Sequence, residues 1–128
     1  MNFEEPLVIL VVEDNELNQR LIEISLERYN HTVVLVKNGL EALQQVKERH
    51  FDLVIMDLMM PVMDGIEATK QIRLFEQEHP EAGHVKIIAF TANTITFDRT
   101  KCHQIGMDDI LEKPFDLNNL KMIIQNLI

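Results

Sequence analysis

LVIMDLMMPVMDG, residues 53–65, sets the fold: four apolar residues run straight into the carboxylate of Asp57, followed by two methionines, a proline and the turn-like pair Asp64-Gly65. A non-alternating apolar run of this length suits a strand covered on both faces. A carboxylate at the mouth of such a strand pays for burial of its charge, so its presence calls for a reason. Similar runs occur at Leu7–Val12, Thr32–Val36 and Val85–Phe90, with a weaker fifth at Ile110-Leu111.

Stretches with helical spacing lie between these runs. In residues 16–30, Leu17, Leu21 and Ile24 share a face, with Ile22, Leu26 and Tyr29 beside it. Asn38-Gly39-Leu40-Glu41 reads as a capping box ahead of Leu43 and Val46. Ile66, Ile72 and Phe75 mark a third helix that stops before Pro80. Thr94 to Ile105 reads as a fourth, ending at Gly106 as C-cap, and Asp116 to Leu127 as a fifth. Residues 79–84 read as a surface loop. Strand and helix thus alternate five times, which predicts an α/β fold with a parallel sheet, right-handed crossovers and helices on both faces. Residues 1–128 are expected to form one domain, with no effector domain in this chain.

Composition narrows the functions. The 128 residues are 46% hydrophobic and 26% charged, ordinary for a globular domain. The net charge of −9 argues against direct nucleic-acid binding, which needs clustered cations. Without an apolar run of about 18 residues, no membrane span is expected. Met1-Asn2-Phe3-Glu4-Glu5 is acidic and unlike a signal peptide, so a cytoplasmic location is the default. Cys102 has no cysteine to pair with and is expected as a buried, reduced thiol. The five histidines lack ligand spacing and are expected on the surface. The cluster Met56, Met59, Met60 and Met63 is expected to fill packing space. Ile95 and Phe97 suit either the core or a partner surface.

In open α/β sheets, ligands bind beyond the carboxyl ends of the strands. The residues there are Glu13-Asp14, Asp57, Thr91 and Lys113-Pro114. Three carboxylates about 5 Å apart repel by roughly 3 kcal/mol per pair at an effective dielectric of about 20. Either some are protonated or a cation sits among them. Oxygen ligands with open positions suit Mg²⁺. Asp57 can then act as a nucleophile toward a phosphoryl group, with Lys113 and the Thr91 hydroxyl stabilising its oxygens.

These residues resemble the receiver domains of two-component response regulators over nearly the whole chain. Val11-Val12-Glu13-Asp14-Asn15 resembles the family's acidic motif, and Met56 to Gly65 its phosphoacceptor motif. Ala89-Phe90-Thr91-Ala92 and Leu111-Glu112-Lys113-Pro114-Phe115 resemble its threonine and lysine-proline motifs. The resemblance implies a flavodoxin-like sheet in order 2-1-3-4-5 flanked by five helices. It implies that Asp57 accepts a phosphoryl group from a histidine kinase or a histidine phosphotransfer domain and slowly loses it again. Glu13, Asp14, Asp57 and the backbone carbonyl of Met59 would bind Mg²⁺, with Mn²⁺ as a substitute. Thr91 and Lys113 would contact the phosphoryl group, and the surface of the fourth helix, fifth strand and fifth helix would shift, with a homodimer as one outcome. The Lys113–Pro114 bond is expected to be cis. Asn15 and Asn18 resemble receivers of hybrid kinases, which points to a phosphorelay and to the cytoplasmic part of a membrane-bound kinase as one setting.

Two positions depart from the family. Glu13 stands where many receivers have Asp, and Ile110 where many have an aromatic switch residue. Three rival functions fit less well. A phosphatase with an aspartyl-phosphate intermediate usually has a second acid two residues after the nucleophile, where Met59 stands. An interaction scaffold on this fold usually loses the acceptor, an acid or the lysine. A flavodoxin-like cofactor binder wants a Gly-, Ser- or Thr-rich loop where Glu13-Asp14-Asn15 stands.

Overall fold

The computed structural model describes residues 1–127. Five parallel strands form one sheet: β1 (Val8–Val12), β2 (Thr32–Val36), β3 (Leu53–Asp57), β4 (Lys86–Thr91) and β5 (Asp109–Glu112), in order β2-β1-β3-β4-β5. The helices are α1 (Glu16–Glu27), α2 (Gly39–Glu48), α3 (Gly65–Glu78), α4 (Arg99–Ile105) and α5 (Leu117–Asn126). The predicted surface loop after α3 includes a short 3₁₀ turn, Pro80–Ala82.

Alternate strand residues feed two core layers, as the period-2 pleat requires. Ile9, Val11, Ile55 and Phe90 pack with Ile22 and Leu26 of α1 and Leu120 and Ile124 of α5. Leu10, Val12, Met56 and Ala89 pack with Ala42 of α2, Ile72 of α3 and Cys102 of α4. Phe3, ahead of β1, closes the first layer by packing against Tyr29 and His31.

Each helix begins on a side-chain cap. Asn15, Asn38, Asp64, Asp98 and Asp116 each accept the backbone N–H three residues on. The predicted capping box at Asn38 is half formed: Asn38 accepts the Glu41 N–H, but the Glu41 carboxylate reaches past the cap to the Lys37 N–H at 2.8 Å. Gly106 ends α4 at φ 110°, the left-handed conformation a C-cap glycine supplies. The Lys113–Pro114 bond is cis, as expected.

Four expectations need correction. In α1 the buried face is Gln19, Ile22 and Leu26, while Leu17, Leu21 and Ile24 face solvent. The fourth helix starts at Arg99 rather than Thr94. Thr94-Ile95-Thr96-Phe97 contains three β-branched residues and an aromatic, weak helix formers, and Asp98 supplies the cap. That segment splits its apolar side chains: Ile95 is 91% exposed and Phe97 7%. Of the five histidines, His31 is buried, its Nδ1 accepting the Leu7 N–H at 3.1 Å, while the other four are exposed. Of the methionine cluster, Met56 is in the core and Met60 and Met63 pack against it, but Met59 lies in solvent. Cys102 is buried as expected, and burial pushes its thiol up to about 12.

Candidate functional site

The strand registers assemble the site. Val12 pairs with Met56, so Glu13, one residue beyond β1, lies level with Asp57 at the end of β3. Asp57 pairs with Phe90, which sets Thr91 one step further along β4. Thr91 pairs with Glu112, which sets Lys113 just beyond β5. β1 and β3 flank the point where the strand order reverses, where α/β sheets place their ligands.

Asp57 is 3% exposed. Its Oδ1 accepts the Met59 N–H at 3.2 Å, and its Oδ2 lies 3.2 Å from Lys113 Nζ. Glu13 is 1% exposed; its Oε1 accepts from the Asn18 side-chain amide at 3.0 Å. Its Oε2 is buried without a hydrogen-bond partner, 3.7 Å from Lys113 Nζ. Burial first, then the neighbouring Asp57, pushes the Glu13 carboxyl up to about 7. Asp14 is exposed at the rim, and one carboxylate oxygen from each of Glu13, Asp14 and Asp57 lies within 4.8 Å of the others. Thr91 Oγ1 accepts the Asn93 N–H at 3.1 Å. Lys113 Nζ also sits 5.0 Å from the centre of the Phe90 ring.

The donor set fits a hard divalent cation. It is all oxygen, it carries more negative charge than Lys113 offsets, and it includes a buried carboxylate oxygen with no partner. The structure thus brings Glu13, Asp14, Asp57, Thr91 and Lys113 to one edge of the sheet. Met59 contributes its N–H to Asp57. Ile110 is half-buried against the core, one residue before Leu111 in β5.

Sequence reasoning missed two supports. Gln19 is buried, and its side-chain amide donates to the carbonyls of Glu13 at 2.7 Å and Val36 at 3.1 Å, tying α1 to β1 and β2 below the site. Gly65 lies so close to Asp57 that an added Cβ would strike the Asp57 carbonyl oxygen and the Met56 side chain. The Asp64-Gly65 pair read as a turn; the signal for a close approach was the glycine at the start of a helix.

Beside α1, Leu17 is 79% exposed, and Leu21 and Ile24 follow it along the same side of the helix. This apolar row starts one turn from Glu13 and Asp14.

A family model for the response regulator receiver domain matches residues 9–125. A hybrid signal transduction histidine kinase of Dictyostelium discoideum, kinase M, is 40% identical over 122 residues, covering 94% of this chain and 5% of its own length. Histidine kinase 5 of Arabidopsis thaliana is 34% identical over 139 residues, covering 91% of this chain and 15% of its own length. The chain therefore spans only a small part of these relatives. The receiver domain of a Pseudomonas aeruginosa sensor histidine kinase, solved with magnesium coordinated in its active-site cleft, superposes with a TM-score of 0.82 at 39% identity, covering 96% of this chain and 98% of that one. A co-crystal structure of a Saccharomyces cerevisiae histidine phosphotransfer protein with the receiver domain of its downstream response regulator matches with a TM-score of 0.86 at 37% identity, covering 95% of this chain and 88% of that one.

Proposed function

The chain belongs to the response regulator receiver domain family, and from that premise we propose that Asp57 is its phosphoacceptor, loaded from a phosphohistidine on a histidine kinase or histidine phosphotransfer partner. The observation that carries this is the buried Asp57 carboxylate, held between the Met59 N–H and Lys113 Nζ with two further acids beside it. A carboxylate oxygen of Asp57 attacks phosphorus; the O–P bond forms as the P–N bond to the donor imidazole breaks, and the imidazole keeps the electron pair. Lys113 compensates charge on the phosphoryl oxygens, and Glu13, Asp14, Asp57 and the Met59 carbonyl hold the metal. Bound Mg²⁺, or Mn²⁺ in its place, supplies the positive charge that lets phosphoryl oxygens approach three carboxylates. Water later attacks phosphorus; a new P–O bond forms as the Asp57 O–P bond breaks, which releases inorganic phosphate and restores the carboxylate.

For the readout, the Thr91 hydroxyl turns from the Asn93 N–H toward a phosphoryl oxygen. Asn93 also accepts from Thr96 and Phe97. Releasing it loosens the segment ahead of α4, so the shift reaches the α4–β5–α5 surface without an aromatic at Ile110. The exposed row Leu17, Leu21 and Ile24 suits docking of the phosphohistidine partner beside the cleft, and the co-crystallised yeast relative supports a phosphotransfer protein as the partner type. We place residues 1–128 as one receiver unit in a cytoplasmic phosphorelay.

The test is incubation with acetyl phosphate and Mg²⁺, followed by intact mass. One added phosphoryl group is expected in the unaltered protein and none in Asp57→Asn; equal uptake by both sinks the assignment. A second arm uses a phosphorylated histidine phosphotransfer protein as donor. Leu21→Glu should slow that transfer at least about tenfold, as loss of a central apolar anchor does, while acetyl phosphate still works.

A further inference from the structure

We infer that Asn18 is a positioning residue for the cation site: its side-chain amide holds Oε1 of the Glu13 carboxylate and leaves the unpartnered Oε2 for the metal. The inference rests on reading Glu13, Asp14 and Asp57 as the Mg²⁺ site. A glutamate has one more rotatable bond than an aspartate, so its carboxylate needs an outside hold to stay aimed at a neighbour. The amide nitrogen of Asn18 provides one, 3.0 Å from Oε1. A carboxylate can only accept, so the Asn18 amide must present its NH₂ group here. The other oxygen, Oε2, is buried, lacks a hydrogen-bond partner and lies on the side of Lys113.

Asn18 is itself held. Its backbone N–H donates to the Asn15 side chain at 2.9 Å, which fixes the first turn of α1. The next residue, Gln19, donates to the Glu13 carbonyl, so the same turn grips both the backbone and the side chain of Glu13. Ligand-orienting hydrogen bonds of this kind restrict a carboxylate before the metal arrives and so strengthen binding. The Asn15 cap uses the Asn18 backbone and not its amide, so Asn18→Ala leaves the helix start intact.

The test is a calorimetric Mg²⁺ titration of the whole chain as unaltered protein, Asn18→Ala, Glu13→Asp and the double variant. Asn18→Ala should raise the Kd about tenfold, the low end of losses from removing a ligand-orienting partner. The Mg²⁺ concentration for half-maximal phosphorylation by acetyl phosphate should rise by the same factor, with the rate at saturating Mg²⁺ within about twofold. In the Glu13→Asp background the shorter side chain does not reach the amide, so adding Asn18→Ala should change the Kd by less than about twofold. An unchanged Kd for Asn18→Ala, or an equal loss in both backgrounds, overturns the inference while leaving the metal site standing. Absence of Mg²⁺ binding by the unaltered protein overturns the metal-site reading and the inference together.

Discussion

The two edges of the sheet both gather carboxylates, and they treat them in opposite ways. At the amino-terminal edge, Asp52 accepts the Val8 N–H, Glu76 the Val85 N–H and Asp108 the Ile87 N–H, each at 2.8 Å. Arg73 then joins the last two: its guanidinium lies 2.8 Å from Glu76 and 3.2 Å from Asp108, and its Nε donates to the Gly106 carbonyl. At the carboxyl-terminal edge, three carboxylates share one ammonium, and Glu13 Oε2 has no hydrogen-bond partner. Acids whose oxygens are met by strand N–H groups and a forked guanidinium serve the fold. Acids crowded around one ammonium, with a buried oxygen that has no partner, work against the fold unless a proton, as on the raised Glu13, or a cation offsets their charge.

Removing the joint at the amino edge should have the largest effect on stability. Arg73→Ala strands Glu76 and Asp108, and loss of one partner from a buried ion pair costs about 3 kcal/mol or more. For a domain of this size that lowers the thermal midpoint by roughly 10 °C. A drop under about 3 °C, on the same conversion, would mean the network is surface decoration. Phosphorylation at Asp57, some distance away, should persist in the folded fraction.

A smaller effect sharpens the contrast through pH. Burial lowers the pKa of His31 below 6.5, so its contribution to stability is present above 6.5 and is lost as pH falls through the lower folded value. Glu13 is raised from 4.5 to about 7, so its contribution is greatest below 4.5 and is lost as pH rises through about 7. Without metal, His31→Gln should flatten the fall in midpoint on the acid side, and Glu13→Gln the fall toward neutral pH. Either variant flattening the opposite limb would contradict the assigned signs.

Much of this was legible in the sequence. The unbroken apolar runs gave parallel strands, and the polar residue ending each run gave Glu13, Asp14, Asp57, Thr91 and Lys113. The runs did form strands, because register is set by the same apolar residues that build the core, and that register brings the five polar residues to one edge. The face of α1 was not legible. Apolar residues at 17, 21, 22, 24 and 26 cover more than one side, and Gln19 reads as solvent-facing although its amide is spent on two backbone carbonyls. The start of α4 was hidden because helical spacing continued through a segment with poor helix formers. The Arg73 network joins residues more than 30 positions apart, and no local pattern marks it. Asn18 could be seen as a motif residue, but its grip on Glu13 needed the turn that Asn15 caps.

The carboxyl edge holds charge that works against the fold, and the amino edge holds charge the fold needs. Thermal midpoints of Asp57→Asn and Glu76→Gln, measured side by side in chelator-treated buffer near pH 7, test this directly. Asp57→Asn should melt at or above the unaltered protein, since Lys113 keeps Glu13 as a neighbour and one repulsion is gone. Glu76→Gln should melt well below it, because Arg73 loses a close partner. A loss for Asp57→Asn as large as that for Glu76→Gln would contradict the account.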